Sequence, residues 1–186
     1  MSLHDAQNFL ARIYTDENLR REFLSAPEQT GRENNLSEKE IAELAAIFPA
    51  ELNFFAESLI YKRLRAVEKL LPLTGISLKG NFESCFREFA NQYAPESSRK
   101  HLEDALRFAE FLQTKKIELV WVADLAKYER AKLEFNVCQK RFIFRIFDYD
   151  IKEISRNNAA PQGKFFRKKT FAAWFRFGRQ TRHYIW

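Results

Sequence analysis

Apolar side chains return every three or four residues from Leu3 to Phe135, and from Arg141 onward the repeat shortens to two. Leu3, Ala6, Phe9, Leu10 and Ile13 predict a first helix. Thr15-Asp16 reads as a fresh N-cap, launching a short helix with Leu19, Phe23 and Leu24 inward that stops near Pro27. The stretch from Glu28 to Asn35 is polar, carries Gly31 and reads as a loop. Ser37-Glu38-Lys39-Glu40 is a capping-box pattern, in which hydroxyl and carboxylate each satisfy an otherwise orphaned backbone donor. It opens the segment Ile41, Leu44, Ala45, Phe48, which ends at Pro49.

The strongest helix runs from about Ala50 to Leu71, with Leu52, Phe55, Ala56, Leu59, Ile60, Leu64, Val67, Leu70 and Leu71 on one broad stripe. Phe54 and Tyr61 form a second, narrower stripe, so this helix is expected to bury more than one side. Pro72 and Gly75 end it. A third block from Phe82 to Tyr93 turns Phe82, Cys85, Phe86 and Phe89 inward. Ser97-Ser98 reads as the cap of a helix whose core face is Leu102, Ala105, Leu106, Ala109 and Leu112, with Glu103 and Arg107 as an i,i+4 pair on its wet side. The last helix covers about Ile117 to Asn136.

Then the period changes. Arg141 to Tyr149 reads as a strand with Phe142, Phe144 and Ile146 on one face. Asn157 to Gly163 is turn material. Thr170–Phe177 and Thr181–Trp186 flank Gly178-Arg179-Gln180 and read as a β-hairpin. The fold class is therefore mainly α: a helical body of six to seven helices over residues 1–138, and a small antiparallel sheet over 139–186, packed together as one unit.

Charge sharpens that division. Residues 139–186 carry twelve Lys/Arg against three Asp/Glu, or +9; with a total of +6, residues 1–138 carry −3. Such an asymmetry points to an anionic partner without naming one. Phe appears 19 times while Gly and Pro number five each, which fits a well-filled core and argues against a disordered or many-turned all-β chain. No apolar run approaches the roughly 18 residues of a membrane span, and the N-terminus has no secretory pattern. A cytoplasmic protein is the expectation.

Catalytic chemistry is not written in the chain, and no enzymatic activity is expected. His4, His101 and His183 are scattered; His101 and Asp104 share a helix face but read as a helix-start histidine beside a surface acid, so no metal or cofactor is expected. Cys85 and Cys138 read as reduced packing residues in apolar surroundings. There is no G-x-S-x-G and no P-loop. Asp124 stands between Trp121 and Tyr128 on the helix face expected to be buried. Its plain role is a hydrogen bond to an Arg, a Lys or a backbone donor; a pocket acid is the alternative.

The hairpin is the better candidate. With a three-residue loop, Trp174, Arg176, Arg182, Tyr184 and Trp186 would share one face, and Phe171, Ala173, Phe175 and Phe177 would take the other, against the helices. Arg167, Lys168, Lys169, Trp174, Arg176, Arg179, Arg182 and Tyr184 are the candidate site. Aromatics interleaved with arginines suit an acidic protein or peptide partner, docked by a non-catalytic accessory or adaptor protein through this basic hairpin. They suit single-stranded nucleic acid as well, through base stacking and phosphate pairing. The plain alternative is a solvated basic turn and structural rings.

The segments "FLARIYTDENLRREFLSAPE…LSEKEIAEL" and "KRLRAVEKLLPLT" resemble small bacterial proteins of unknown function. The middle, "FESCFREFA…HLEDALRFAEFL…VWVADLAKYERAKLEF", is similar to the helical half of proteins labelled as carrying a putative DNA-binding domain. Some of that wider group are partner proteins of multinuclear iron-dependent oxidases. The tail "FAAWFRFGRQTRHYIW" resembles the closing hairpin of an uncharacterised actinobacterial and cyanobacterial family. The resemblance implies a non-catalytic accessory or DNA-binding role, and it carries over no functional residue.

Overall fold

A computed structural model of the chain describes residues 3–157, 165–178 and 180–186. Among them are ten helices and a three-stranded antiparallel sheet at the C-terminal end, the mainly-α class that the periodicity predicts. The described chain forms two compact units: Met1–Arg63 with Ala90–Ala94, and Leu64–Phe89 with Pro95–Trp186. No single described helix is long and apolar enough to cross a membrane.

The first unit holds α1 (Leu3–Thr15), α2 (Glu17–Ser25), α3 (Pro27–Glu33), α4 (Glu38–Ala45) and the first part of α5 (Pro49–Leu70). Asp16 caps α2 by accepting from the amides of Asn18 and Leu19, and Ser37 and Glu40 form the predicted capping box on α4. Phe9, Ile13, Leu19, Phe23, Leu36, Ile41, Leu44 and Leu52 make its core.

Two expectations fail here. The polar stretch after Pro27 is helix α3, not a loop: proline sits in its first turn, where its missing N–H costs nothing. Gly31 is a contact residue, not a breaker. A Cβ there would fall 2.4 Å from Ile41 Cγ1, so only glycine lets α3 lie this close to α4. On α5, Phe54 is 76% and Tyr61 48% exposed, so the narrower stripe faces outward and is not buried.

The second unit contains the rest of α5, α6 (Pro72–Leu78), α7 (Asn81–Ala90), α8 (Lys100–Thr114), α9 (Trp121–Asn136), β1 (Phe142–Tyr149), α10 (Ile151–Arg156), β2 (Arg167–Phe177) and β3 (Gln180–Ile185). Phe82, Phe86 and Phe89 of α7 surround Phe108 of α8, with ring centroids 5.3–5.5 Å away. Pro72 again opens a helix where an ending was expected. The N-cap of α6 has no side-chain bond of its own. Glu129 of α9 supplies the acceptor instead, taking the amides of Leu73 and Thr74 and the Thr74 hydroxyl at 2.7–2.9 Å.

Ser97-Ser98 does not cap α8, whose N-cap is Arg99 with no side-chain bond. Glu103 reaches back to the amide of Ser97 at 2.9 Å. Asp104, expected at the surface, is fully buried, and α9 begins at Trp121, later than the apolar spacing suggests.

The sheet runs β1-β2-β3, each strand antiparallel to the next. Its inward face lies on α9. Ile143, Phe147, Ala172 and Trp174 are each at most 3% exposed, and the Tyr128 ring meets Phe147, Trp174 and His183 at 5.7–6.2 Å.

Candidate functional site

The hairpin closes one residue tighter than expected. Phe177 pairs with Gln180, two positions separate the paired residues where three were expected, and Gly178 takes φ 59. Because side chains alternate with period two, a one-residue change turns every β3 side chain to the opposite face. Trp174 faces His183, Phe175 faces Arg182, Arg176 faces Thr181 and Ala173 faces Tyr184. The two arginines expected on one face, Arg176 and Arg182, stand on opposite faces. Phe171, Ala173, Phe175 and Phe177, expected against the helices, form the middle of the outward face.

That outward face is built in rows across three strands. Phe142, Phe175 and Arg182 form one row; Phe144, Ala173 and Tyr184 the next; Ile146 and Phe171 a third, which Trp186 completes. Trp186 is held there by paired backbone bonds with Phe171 at 2.9 and 3.0 Å. The rings support one another: Phe142 on Phe175 at 5.0 Å, and Phe144, Phe171 and Trp186 in a mutual triangle with centroids 6.1–6.4 Å apart. Still, Phe142, Phe144, Phe177, Tyr184 and Trp186 are 40–72% exposed. Ala173 sits low among them, and next to it Phe175, Phe177, Gln180, Arg182 and Tyr184 line a shallow depression of 460 Å³.

The candidate cations disperse. Arg182 stays on the outward face, its guanidinium donating to the Tyr184 hydroxyl at 3.3 Å. Arg176 turns inward, donates to the carbonyl of Phe135 at the end of α9 and lies over the Phe135 ring at 5.0 Å. Its Nε is buried with no hydrogen bond among the described residues. Lys168 bonds Asp150 at 2.6 Å, which holds the Asp150 carboxyl below its ordinary range. Arg167 leans on the Tyr149 side chain, and Lys169 is exposed. Arg179 lies outside the described residues. Among the described residues the site is thus a ring-rich face with Arg182 on its β3 edge, where the sequence suggested a basic band. The exposure of Phe142 and Phe144, contributed by a strand outside the hairpin, was readable only as a shared face, with no sign of which way it pointed.

Asp124 has the plain role. Its Oδ2 accepts the amides of Asp148 and Tyr149 at 2.6 and 3.0 Å, where the β1–β2 register shifts. Burial raises its carboxyl above the ordinary value, and those two bonds only partly offset it. Glu129 is raised for the same first reason. Glu134 gathers Arg130, Lys140 and Arg145, each at 3.1 Å. Cys85 is buried and burial lifts its thiol, but Cys138 is exposed and so is not a packing residue. Among the described residues no three His, Cys, Asp or Glu side chains stand close enough to share a metal ion. In a 750 Å³ groove along α3 and α4 in the first unit, Arg32 bridges Glu28 and Glu38, and Gln29 donates to Glu33.

No protein-family model matches the chain, and no curated protein matches it.

Proposed function

We propose that this is a non-catalytic, cytoplasmic accessory protein that docks a protein or peptide partner on the outward face of its sheet. One observation carries the reading: a contiguous face in which Phe142, Phe144, Phe177, Tyr184 and Trp186 are open to solvent around the half-buried Phe171 and Phe175, with Arg182 on its β3 edge. Large exposed apolar patches are uncommon on proteins that work alone, and Trp, Tyr and Arg are the residues that most often dominate interfaces. The partner segment is apolar with a carboxylate set against Arg182. The family resemblance adds a class of partner: a metal-dependent modifying enzyme that brings its own iron.

A second reading, single-stranded nucleic acid, is favoured by the row in which Arg182 follows Phe142 and Phe175, since bases stack on rings while a guanidinium takes phosphate. The protein reading ranks higher because the other inward or paired cations, Arg176 and Lys168, are withdrawn from this face.

The test is capture from native lysate with the intact chain and with a Phe177→Ser, Tyr184→Ser double variant, followed by titration of each purified captured species. A polypeptide bound at least tenfold more weakly by the variant supports docking on the face. Nuclease-sensitive material whose binding falls log-linearly with salt favours nucleic acid. Equal recovery by both baits overturns the use of this face.

A further inference from the structure

The two edges of the sheet are treated differently. Along β1, the Ile146 carbonyl accepts from Lys127 at 2.7 Å and the Phe144 carbonyl from Arg145 at 2.9 Å. The Asp148 amide is held by Asp124, and the ladder shifts register between Phe147 and Tyr149. Carbonyl capping by cations and an irregular register are ways of blunting an edge. On β3 none of these is present. Phe171 and Trp186 exchange both backbone bonds, so the alternation leaves the N–H and C=O of Thr181, His183 and Ile185 pointing away from β2. Among the described residues, no hydrogen bond is made to them. The strand Gln-Thr-Arg-His-Tyr-Ile holds no proline, no glycine and no lysine.

We infer that β3 pairs antiparallel with β3 of a second copy of this chain, about a two-fold axis at His183, making one continuous six-stranded sheet. Residue pairing selects the second copy and the register. With the axis at His183, Thr181 lies opposite Ile185 of the second copy, His183 opposite His183, and Arg182 opposite its Tyr184. The odd-numbered residues meet through their outward backbone groups, and Arg182 meets an aromatic ring, an attractive pair. Moving the axis to Arg182 sets two guanidiniums directly opposite, a repulsive pair. Moving it to Tyr184 leaves Thr181 without a partner on β3 and forms fewer backbone bonds. At the axis His183 stacks on Trp174 at 4.6 Å, and partial burial, then Lys132, disfavour its charged form. The outward faces of the two copies then join across Arg182 and Tyr184 into one doubled aromatic surface.

Self-association is read on the purified protein alone, so its outcome is independent of whether the aromatic face takes a partner. Sedimentation equilibrium on the intact chain is expected to give a dimer. Thr181→Pro is the selective variant: the Thr181 amide points away from β2, so proline removes an intermolecular donor and no hairpin bond. It is expected to raise the dimer dissociation constant at least tenfold with unchanged far-UV circular dichroism. Register is read by mixing Arg182→Cys and Tyr184→Cys chains, each with Cys138→Ser. A disulfide that forms in the mixture and in neither chain alone fixes the axis at His183. A monomer at every concentration, a dimer indifferent to Thr181→Pro, or cross-linking within the Arg182→Cys chain alone overturns the proposal. A monomer whose β3 edge is instead filled by an added peptide overturns it equally.

Discussion

The two faces of the sheet are made by the same strands, yet the face poorer in rings is closed and the richer one is open. Inward, Phe147 and Trp174 are at most 3% exposed against Tyr128. Outward, Phe142, Phe177 and Trp186 are more than half exposed. Hydrophobicity therefore does not separate them; what separates them is that α9 covers one face only. The difference teaches that ring content alone does not close a face, and the proposed docking requires the outward rings to be surplus to folding.

The sharpest way to break this comparison is to remove one ring from each face. Trp174→Ala empties a packed site and is expected to lower stability by about 3–5 kcal/mol in urea unfolding. Phe177→Ala, at 72% exposure, is expected to change it by no more than about 0.5 kcal/mol. Comparable losses for both would mean that the outward face is held by the fold and is no docking surface.

Much of this architecture was legible from the chain, and the failures share a cause. Asp16, the Ser37–Glu40 box and the strand from Phe142 are local signals, and they act locally. Pro27 and Pro72 were misread as stops because a proline that ends one helix and one that opens the next look alike without the chain's three-dimensional path. Position 31 has room only for glycine because of Ile41, and α6 is capped by Glu129, partners that local sequence does not reveal. The charge break at residue 138 marks a change of element type, while the compact units divide elsewhere, inside α5. For the site, the hairpin was visible, but a loop of two residues or three decides which face β3 presents. Glycine followed by arginine does not settle that choice.

Asp124 joins the covered face to β1, and its removal tests that joint. Asp124→Ala is expected to cost about 1–3 kcal/mol by orphaning two backbone donors, while Asp124→Asn keeps an acceptor and costs less. The sign of the pH dependence follows from a carboxyl raised by burial. Its contribution is fully present below the unfolded value and is lost as pH rises through the folded one. The stability difference between the native chain and Asp124→Asn should therefore be largest at acid pH and shrink toward neutrality. A difference that grew with pH would show the ionised form to be the favoured one.

Gly178 fixes which face β3 presents, and Gly178→Ala is expected to cost about 1–2 kcal/mol. The left-handed backbone alone causes it, since a Cβ there meets nothing within 4 Å. A loss several times larger in thermal unfolding would mean that the tight loop had given way and the register had moved with it.

The smallest and most discriminating comparison sets one arginine against the other. Arg176 satisfies a carbonyl in the last turn of α9, where four carbonyls lack intrahelical partners, and its guanidinium covers Phe135. Replacing it with Met keeps the apolar stem and is expected to cost about 1 kcal/mol. Among the described residues Arg182 bonds only the tip of Tyr184, and it is exposed, so Arg182→Met should leave the unfolding free energy within about 0.5 kcal/mol of the native chain's. It should weaken partner binding instead, whereas Arg176→Met should not. If Arg182→Met costs as much stability as Arg176→Met, the outward arginine is committed to the fold, and the cation proposed to meet the partner's carboxylate must be sought on another part of the surface.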